Sequence, residues 1–284
     1  MQLQRVGIWA RELRAGDEGI RREAAAELEQ LGYGTLWFPG SAGSDSLDCA
    51  EVLLDATEQV VVATGITNIW TEEPGDVAAG RARLAAAHED RFLLGLGVSH
   101  GPLIGDRYRK PYSAMVEYLD ALDAAPEPPP LDERVLAALG PRMLALSRDR
   151  AGGAHPYLVP PEHTAIAREA IGEGKLLAPE QAVVLESDPA RGRELAREHL
   201  KLYLRLPNYT NNWLRHGFTE DDLRDGGSDR LVDALVAWGD EDAIHARVRA
   251  HHDAGADHVC LQVIHGGDGP PLEQWRRLAG ALVA

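Results

Sequence analysis

The sequence predicts an α/β fold, a single (β/α)8 TIM barrel over residues 1–284 with an insertion between its seventh and eighth strands. Three observations predict it. Short apolar runs alternate with longer amphipathic stretches along the whole chain, the pattern of a parallel sheet with crossover helices. Eight such runs occur, the number that closes a barrel. A chain of 284 residues, 44% of them apolar, builds one large core, and barrels of this kind take about 250 residues.

The runs are Val6–Trp9, Thr35–Phe38, Val60–Ile66, Phe92–Gly97, Val135–Leu139, Ala154–Leu158, Val183–Glu186 and Val259–Ile264. After the first, Ile20, Ala24, Leu28 and Leu31 fall at i, i+4, i+8 and i+11 and share one helical face, which Gly32 terminates. Pro111 and Pro161 stand where a first helical turn tolerates the missing N–H. Ala125–Pro130 (APEPPP) reads as a stiff connector into the fifth strand. Pro207–Asp229, containing NYTNNW and TEDDLRDGG, is the insertion. Segments of that length form lids, binding elements or short extra helices. Asp240 is placed to cap the last major helix, which carries Ile244 and Val248 and ends at Gly255.

Composition narrows the function. A net charge of -16 without any cluster of Lys and Arg argues against nucleic acid as a partner. No run approaches the roughly 18 apolar residues of a membrane helix, and MQLQRVGIW lacks the form of a secretory signal, so a cytoplasmic protein is expected. Cys49 and Cys260 have no disulfide or metal-ligand spacing and are expected as buried apolar residues; no metal is expected.

In a parallel barrel the site lies at the C-terminal ends of the strands. That rule selects Trp9, Pro39–Gly40, Gly65–Asn68, Gly97–His100, Gly140–Met143, His155–Tyr157 and Gln262. Gly65 in a strand end with Asn68 three residues later marks a bulge or a close backbone approach, although an ordinary strand terminus reads equally well. Gly95-Leu96-Gly97-Val98-Ser99-His100-Gly101 lacks the G-x-G-x-x-G spacing of a nicotinamide site. Small residues at a rim leave room for something flat against the backbone. Gly140-Pro141-Arg142-Met143 opens a helix whose free N–H groups, beside Arg142, form an anion site, with a plain strand-to-helix turn as the competing reading. His100 and His155 are the candidates for proton handling, since imidazole titrates near neutral pH. No Ser-His-Asp order, Cys-His pair or carboxylate dyad falls at the strand ends, which fits an enzyme whose cofactor carries the reactive atom.

Five blocks then resemble one family in order along nearly the whole chain: TGITNIW, GLGVSHG, GPRMLALSRDRAGGAHPYLVPPEH, LLAPEQAVVLESDPARGRE and WGDEDAIHARVRAHHDAGADHVCLQV. Together they resemble the F420-dependent branch of the luciferase-like monooxygenases and oxidoreductases. The resemblance implies hydride transfer between the deazaflavin coenzyme F420 and a small organic substrate. It places the coenzyme across the barrel mouth, with a non-prolyl cis peptide at Gly65–Ile66 backing the ring. It puts the coenzyme phosphate near Gly140, Pro141, Arg142 and Met143, and Ser99 and His100 near the ring or tail; Trp9, Asn68 and Gly97, selected by the strand-end rule, are further candidates for coenzyme contact. An FMN-dependent monooxygenase on the same barrel is the alternative, and a barrel that binds without turnover is a third. Phe38-Pro39-Gly40-Ser41 at the second strand carries neither the acid nor the Asp-His pair of some relatives, and the chain is short for a light-emitting enzyme.

Barrels of this family bury outer helices against a twin, and the early helices here are rich in Ala. Light scattering is therefore expected to return the mass of a homodimer at micromolar concentration; a monomer refutes that expectation.

Overall fold

The computed structural model describes residues 3–40 and 45–283. Its strands are β1 (Val6–Trp9), β2 (Thr35–Phe38), β3 (Val61–Thr64), β4 (Thr67–Asn68), β5 (Phe92–Gly97) and β6 (Arg134–Leu136). They continue with β7 (Gly153–Ala154), β8 (Leu176–Leu177), β9 (Glu180–Leu185), β10 (Val236–Gly239) and β11 (Val259–Val263). All pair in parallel in the order β10-β9-β11-β1-β2-β3-β5-β6-β7-β8, with β4 on β5. The sheet curls so that β8, at one end of this order, comes close to β9, next to the other end. Only Ala178 and Pro179 separate β8, which pairs with β7, from β9, which pairs with β11. Those two residues carry the ladder across: Ala178 N donates to Ala154 O at 3.0 Å, and Cys260 N donates to Pro179 O at 3.1 Å.

Register decides what fills the concave side. Trp9 lies opposite Trp37, Trp37 opposite Ala63, and Ala63 opposite Leu93. With Val135, Ala178 and Cys260 they form one buried cluster, so the interior is packed and not a pore. Both cysteines are buried and unbridged.

The helices between and after the strands are α1 (Glu18–Gln30), α2 (Ser46–Asp55), α3 (Pro74–Ala87), the short α4 (Gly101–Ile104), α5 (Pro111–Asp123) and α6 (Pro141–Arg150), together with later ones. These are α7 (Pro161–Ile171), α8 (Pro189–Tyr203), α9 (Pro207–Arg215), α10 (Asp229–Leu235), α11 (Glu241–Asp253) and α12 (Leu272–Leu282). Pro111 and Pro161 open α5 and α7, as their missing N–H favours. Asp240 caps α11 by accepting from Ala243 N at 3.0 Å, and Asp17 caps α1 by accepting from Ile20 N. Gly32 follows α1 at φ +88, where a side chain is disfavoured. Ile20 is 50% exposed, so the buried stripe of α1 is Ala24, Ala25 and Leu28 and begins a turn later than the spacing predicts.

Other boundaries also differ. The third run breaks after Thr64 and resumes at Thr67, and the Gly65–Ile66 peptide in the gap is cis. The fifth run shifts to Arg134–Leu136. The sixth ends at Ala154, two residues before Pro156, which has no N–H for a ladder. The seventh starts three residues earlier than predicted, at Glu180. Two strands were not expected. Val236–Gly239 continues directly from α10, so the apolar spacing reads as one helix, and Leu176–Leu177 is only two residues long. The insertion forms α9, a 3-10 turn at Glu220–Leu223 and α10. No helix among the described residues is long and apolar enough to cross a membrane.

Four buried histidines are held neutral by desolvation. Burial lowers His155, His163 and His258 to about 4 and His251 to about 3. Each ring meets partners suited to one neutral tautomer. His251 Nε2 donates to Gln181 Oε1 while Nδ1 accepts from Thr164, and His163 Nε2 donates to Leu139 O. The unfolded chain protonates these groups near pH 6.5 and the folded chain does not, so the stability they confer is complete above pH 6.5 and is lost as pH falls toward 4. Each costs up to about 1.4 kcal/mol per pH unit across that window. Urea unfolding between pH 7.5 and 4.5 is expected to show a steep, multi-proton loss of stability. A flat profile contradicts the burial of these rings.

Candidate active site

The C-terminal ends of the strands open into a cavity of about 470 Å3, within the roughly 300–1,000 Å3 range of small-molecule sites. Trp9 ends β1, Pro39 and Gly40 follow β2, and Ser99 and His100 follow β5; all line it. Leu139 does so after β6, and His155 and Tyr157 after β7. Ser41, the remaining residue of the second-strand end, lies outside the described residues.

One wall is the break in the third strand. The cis Gly65–Ile66 peptide stands where the resemblance places it, with Asn68 beside it in the lining. Glycines on the neighbouring strands make room for this backbone. A Cβ on Gly40 would lie 2.0 Å from Ile66 O, and one on Gly95 would lie 1.9 Å from Thr64 O. Thr64 Oγ1 fixes the same point by accepting from Gly95 N and donating to Gly95 O, both at 2.9 Å. Gly97 serves this wall too. A Cβ there would meet Ile66 Cγ1 at 2.5 Å, so Gly97 seats the Ile66 side chain and is not itself part of the cavity lining.

The deep end is aromatic. His155 stacks on Trp37 with ring centroids 4.3 Å apart and planes 12° apart. Its Nδ1 donates to Ala178 O at 2.7 Å, which leaves Nε2 as a lone-pair acceptor with no partner. Trp37 is tied in turn to His258 Nε2 at 3.1 Å. Tyr157 donates to Gln262 Oε1 at 2.6 Å and accepts from the Tyr203 hydroxyl at 2.7 Å, so both phenols are already committed. Burial pushes Tyr157 and Tyr209 well above the usual phenol range. Close to them Glu180 accepts from Leu158 N at 3.0 Å, and burial raises its carboxyl to about 8, which favours the neutral acid. At the rim, burial lowers His100 and the contact of Nδ1 with Asn208 Oδ1, at 3.2 Å, opposes the shift.

The structure therefore brings together Trp9, Gly65, Ile66, Asn68, Ser99, His100 and His155, and places Gly140, Pro141, Arg142 and Met143 beside the cavity but outside its lining. Gly140 is the N-cap of α6. Arg142 is exposed and its guanidinium lies 3.9 Å over the Tyr112 ring, a cation–π contact. A second cation stands at the cap: a Cβ on Gly140 would lie 2.9 Å from Arg215 Nη1. Sequence reasoning missed Arg215, and it missed Leu202, Tyr203, Asn208 and Tyr209, by which α8 and α9 wall the cavity. Only the NYTNNW stretch carried a signal, as part of a segment expected to bind. Among the described residues no group of His, Cys, Asp and Glu is arranged to hold a metal.

With this geometry in view, comparison with known proteins gives the family. Residues 20–258 match the model for luciferase-like monooxygenases. The chain belongs to the luciferase-like monooxygenase family. No curated protein matches it. Solved luciferase-like structures share its fold from end to end. An F420-dependent secondary alcohol dehydrogenase, in complex with an F420-acetone adduct, is 16% identical with a TM-score of 0.72. The coenzyme F420-dependent tetrahydromethanopterin reductase of Methanopyrus kandleri is also 16% identical, at 0.75. In both cases 99% of this chain and 98% of the other are covered. The FMN complex of a type II Baeyer-Villiger monooxygenase, the oxygenating constituent of the 3,6-diketocamphane monooxygenase from Pseudomonas putida, is 13% identical at 0.68, covering 98% and 96%.

Proposed function

We propose that this chain is an F420-dependent oxidoreductase built on one closed (β/α)8 barrel. On this reading the segment from β8 to β9 serves as a single stave and α9 and α10 form the insertion. The observation that carries the reading is the Gly65–Ile66 wall, a backbone ledge that three glycines accommodate, facing an uncharged aromatic chamber. The five-block resemblance supports F420 over FMN.

The residues fit such a coenzyme. Gly65, Ile66, Asn68 and Ser99 offer a flat apolar and amide surface for a ring. The N-terminus of α6, flanked by Arg142 and Arg215, offers N–H groups and positive charge for a phosphate. When bound, the deazaflavin supplies a carbon that gives or takes hydride. The chain orients the substrate, excludes water and manages the proton. His155 Nε2 is the proton-handling atom, because it is neutral, unpartnered and inside the cavity. His100 shapes the rim with Asn208.

Titration of the purified protein with F420 is expected to give micromolar or tighter binding, with FMN much weaker. Equal or inverted affinities transfer the reading to an FMN-dependent monooxygenase on the same fold, and tight F420 binding without turnover on any substrate favours a binding protein. Both arginines are partly solvated, so each contact falls at the lower end of the charge-assisted range. Arg142→Ala and Arg215→Ala are each expected to weaken F420 binding about 10-fold, less at high salt. An unchanged dissociation constant at low salt, with normal circular dichroism, removes that arginine from the site.

A further inference from the structure

Two polar atoms in the cavity wall have no partner within the protein, Trp9 Nε1 and His155 Nε2. Their residues are 5% and 2% exposed, so water does not compensate freely. They are neighbours, both packed close to Gly65 in the wall: an ideal Cβ on Gly65 would lie 2.4 Å from Trp9 Nε1 and 3.1 Å from His155 Nε2. They are also opposite in kind. The indole N–H only donates, whereas His155, its Nδ1 proton given to Ala178 O, only accepts. The neighbouring phenol protons are already given, Tyr203's to Tyr157 and Tyr157's to Gln262, and no phenol oxygen accepts from Trp9 Nε1.

Among the described residues no Asp, Glu, Lys or Arg lines the cavity. A charged ligand there would lose its hydration without gaining a counter-charge. At the mouth Leu103 and Leu202 are 59% and 48% exposed although both line the cavity, so its lips are apolar.

We propose that Trp9 and His155 form a donor–acceptor pair that selects an uncharged, largely apolar substrate by one hydroxyl or carbonyl oxygen. A hydroxyl satisfies both atoms, accepting from Trp9 and donating to His155; a carbonyl satisfies Trp9 alone. This substrate class deepens the oxidoreductase reading and rests on it, but the pair's chemistry is testable without turnover.

The probes are indanol, indanone, indane and indane carboxylate, titrated by calorimetry and ligand-observed NMR into the full chain, with and without F420. Indanol and indanone are expected to bind roughly 3- to 10-fold more tightly than indane, and the carboxylate most weakly. Trp9→Phe, which keeps an aromatic ring but removes the donor, is expected to abolish the preference for both oxygenated probes. His155→Phe, which preserves a ring over Trp37, is expected to abolish the preference for indanol and spare that for indanone. Equal binding of indane and the oxygenated probes to the unaltered protein overturns the proposal whether or not the variants fold. Tightest binding of the carboxylate overturns it too, as does an unchanged oxygen preference in folded Trp9→Phe. Failure of F420 to bind, with the probe ranking intact, overturns the coenzyme assignment and leaves the selecting pair standing.

Discussion

The site depends on backbone occupying space that side chains would otherwise fill. Between β3 and β4 the carbonyls of Thr64 and Ile66 press into positions that a Cβ at residue 95 or residue 40 would claim. Close packing leaves no slack there, so any residue larger than glycine at either position must move the ledge. Because the Thr64 hydroxyl closes two hydrogen bonds on Gly95, the ledge is also tied to β5. The strand that presents Ser99 and His100 is therefore located by the same contacts that locate Gly65 and Ile66.

A second constraint is electrostatic. Around the chamber burial pushes ionisable groups toward their neutral forms: it lowers His155 and His258 to about 4 and raises Glu180 to about 8. Trp37 joins the two imidazoles, stacked on one and hydrogen-bonded to the other. Replacing any member of this set leaves a polar atom without its partner in a medium where that is costly. The neutral chamber and the fixed tautomer of His155 are thus one property of the packing.

Much of this was legible because strands and helices announce themselves locally. The β1, β2 and β5 boundaries follow directly from apolar runs, and the cap at Asp240 follows from side-chain chemistry three residues away. The rim residues followed from a topological rule and not from spacing. What stayed hidden depends on contacts distant in sequence. Arg215 meets Gly140 only because α9 folds back over the mouth, and Tyr203 reaches Tyr157 from the end of α8. Val236–Gly239 is a strand only because β9 offers it an edge; by its own pattern it prolongs α10.

The separation of charge follows from both constraints. A chain of net charge -16 repels an anion at long range, yet its cavity lining carries no charged side chain among the described residues. Attraction for an anionic group must then be local and outside the chamber. On the proposed reading the start of α6 supplies it, with Arg142, held over Tyr112, in its first turn and Arg215 beside Gly140 at its N-cap. Charge is, on that reading, met at the rim and left there: a ligand with an anionic tail and a neutral head is sorted by position, the tail staying with α6 and only the head reaching the Gly65–Ile66 ledge.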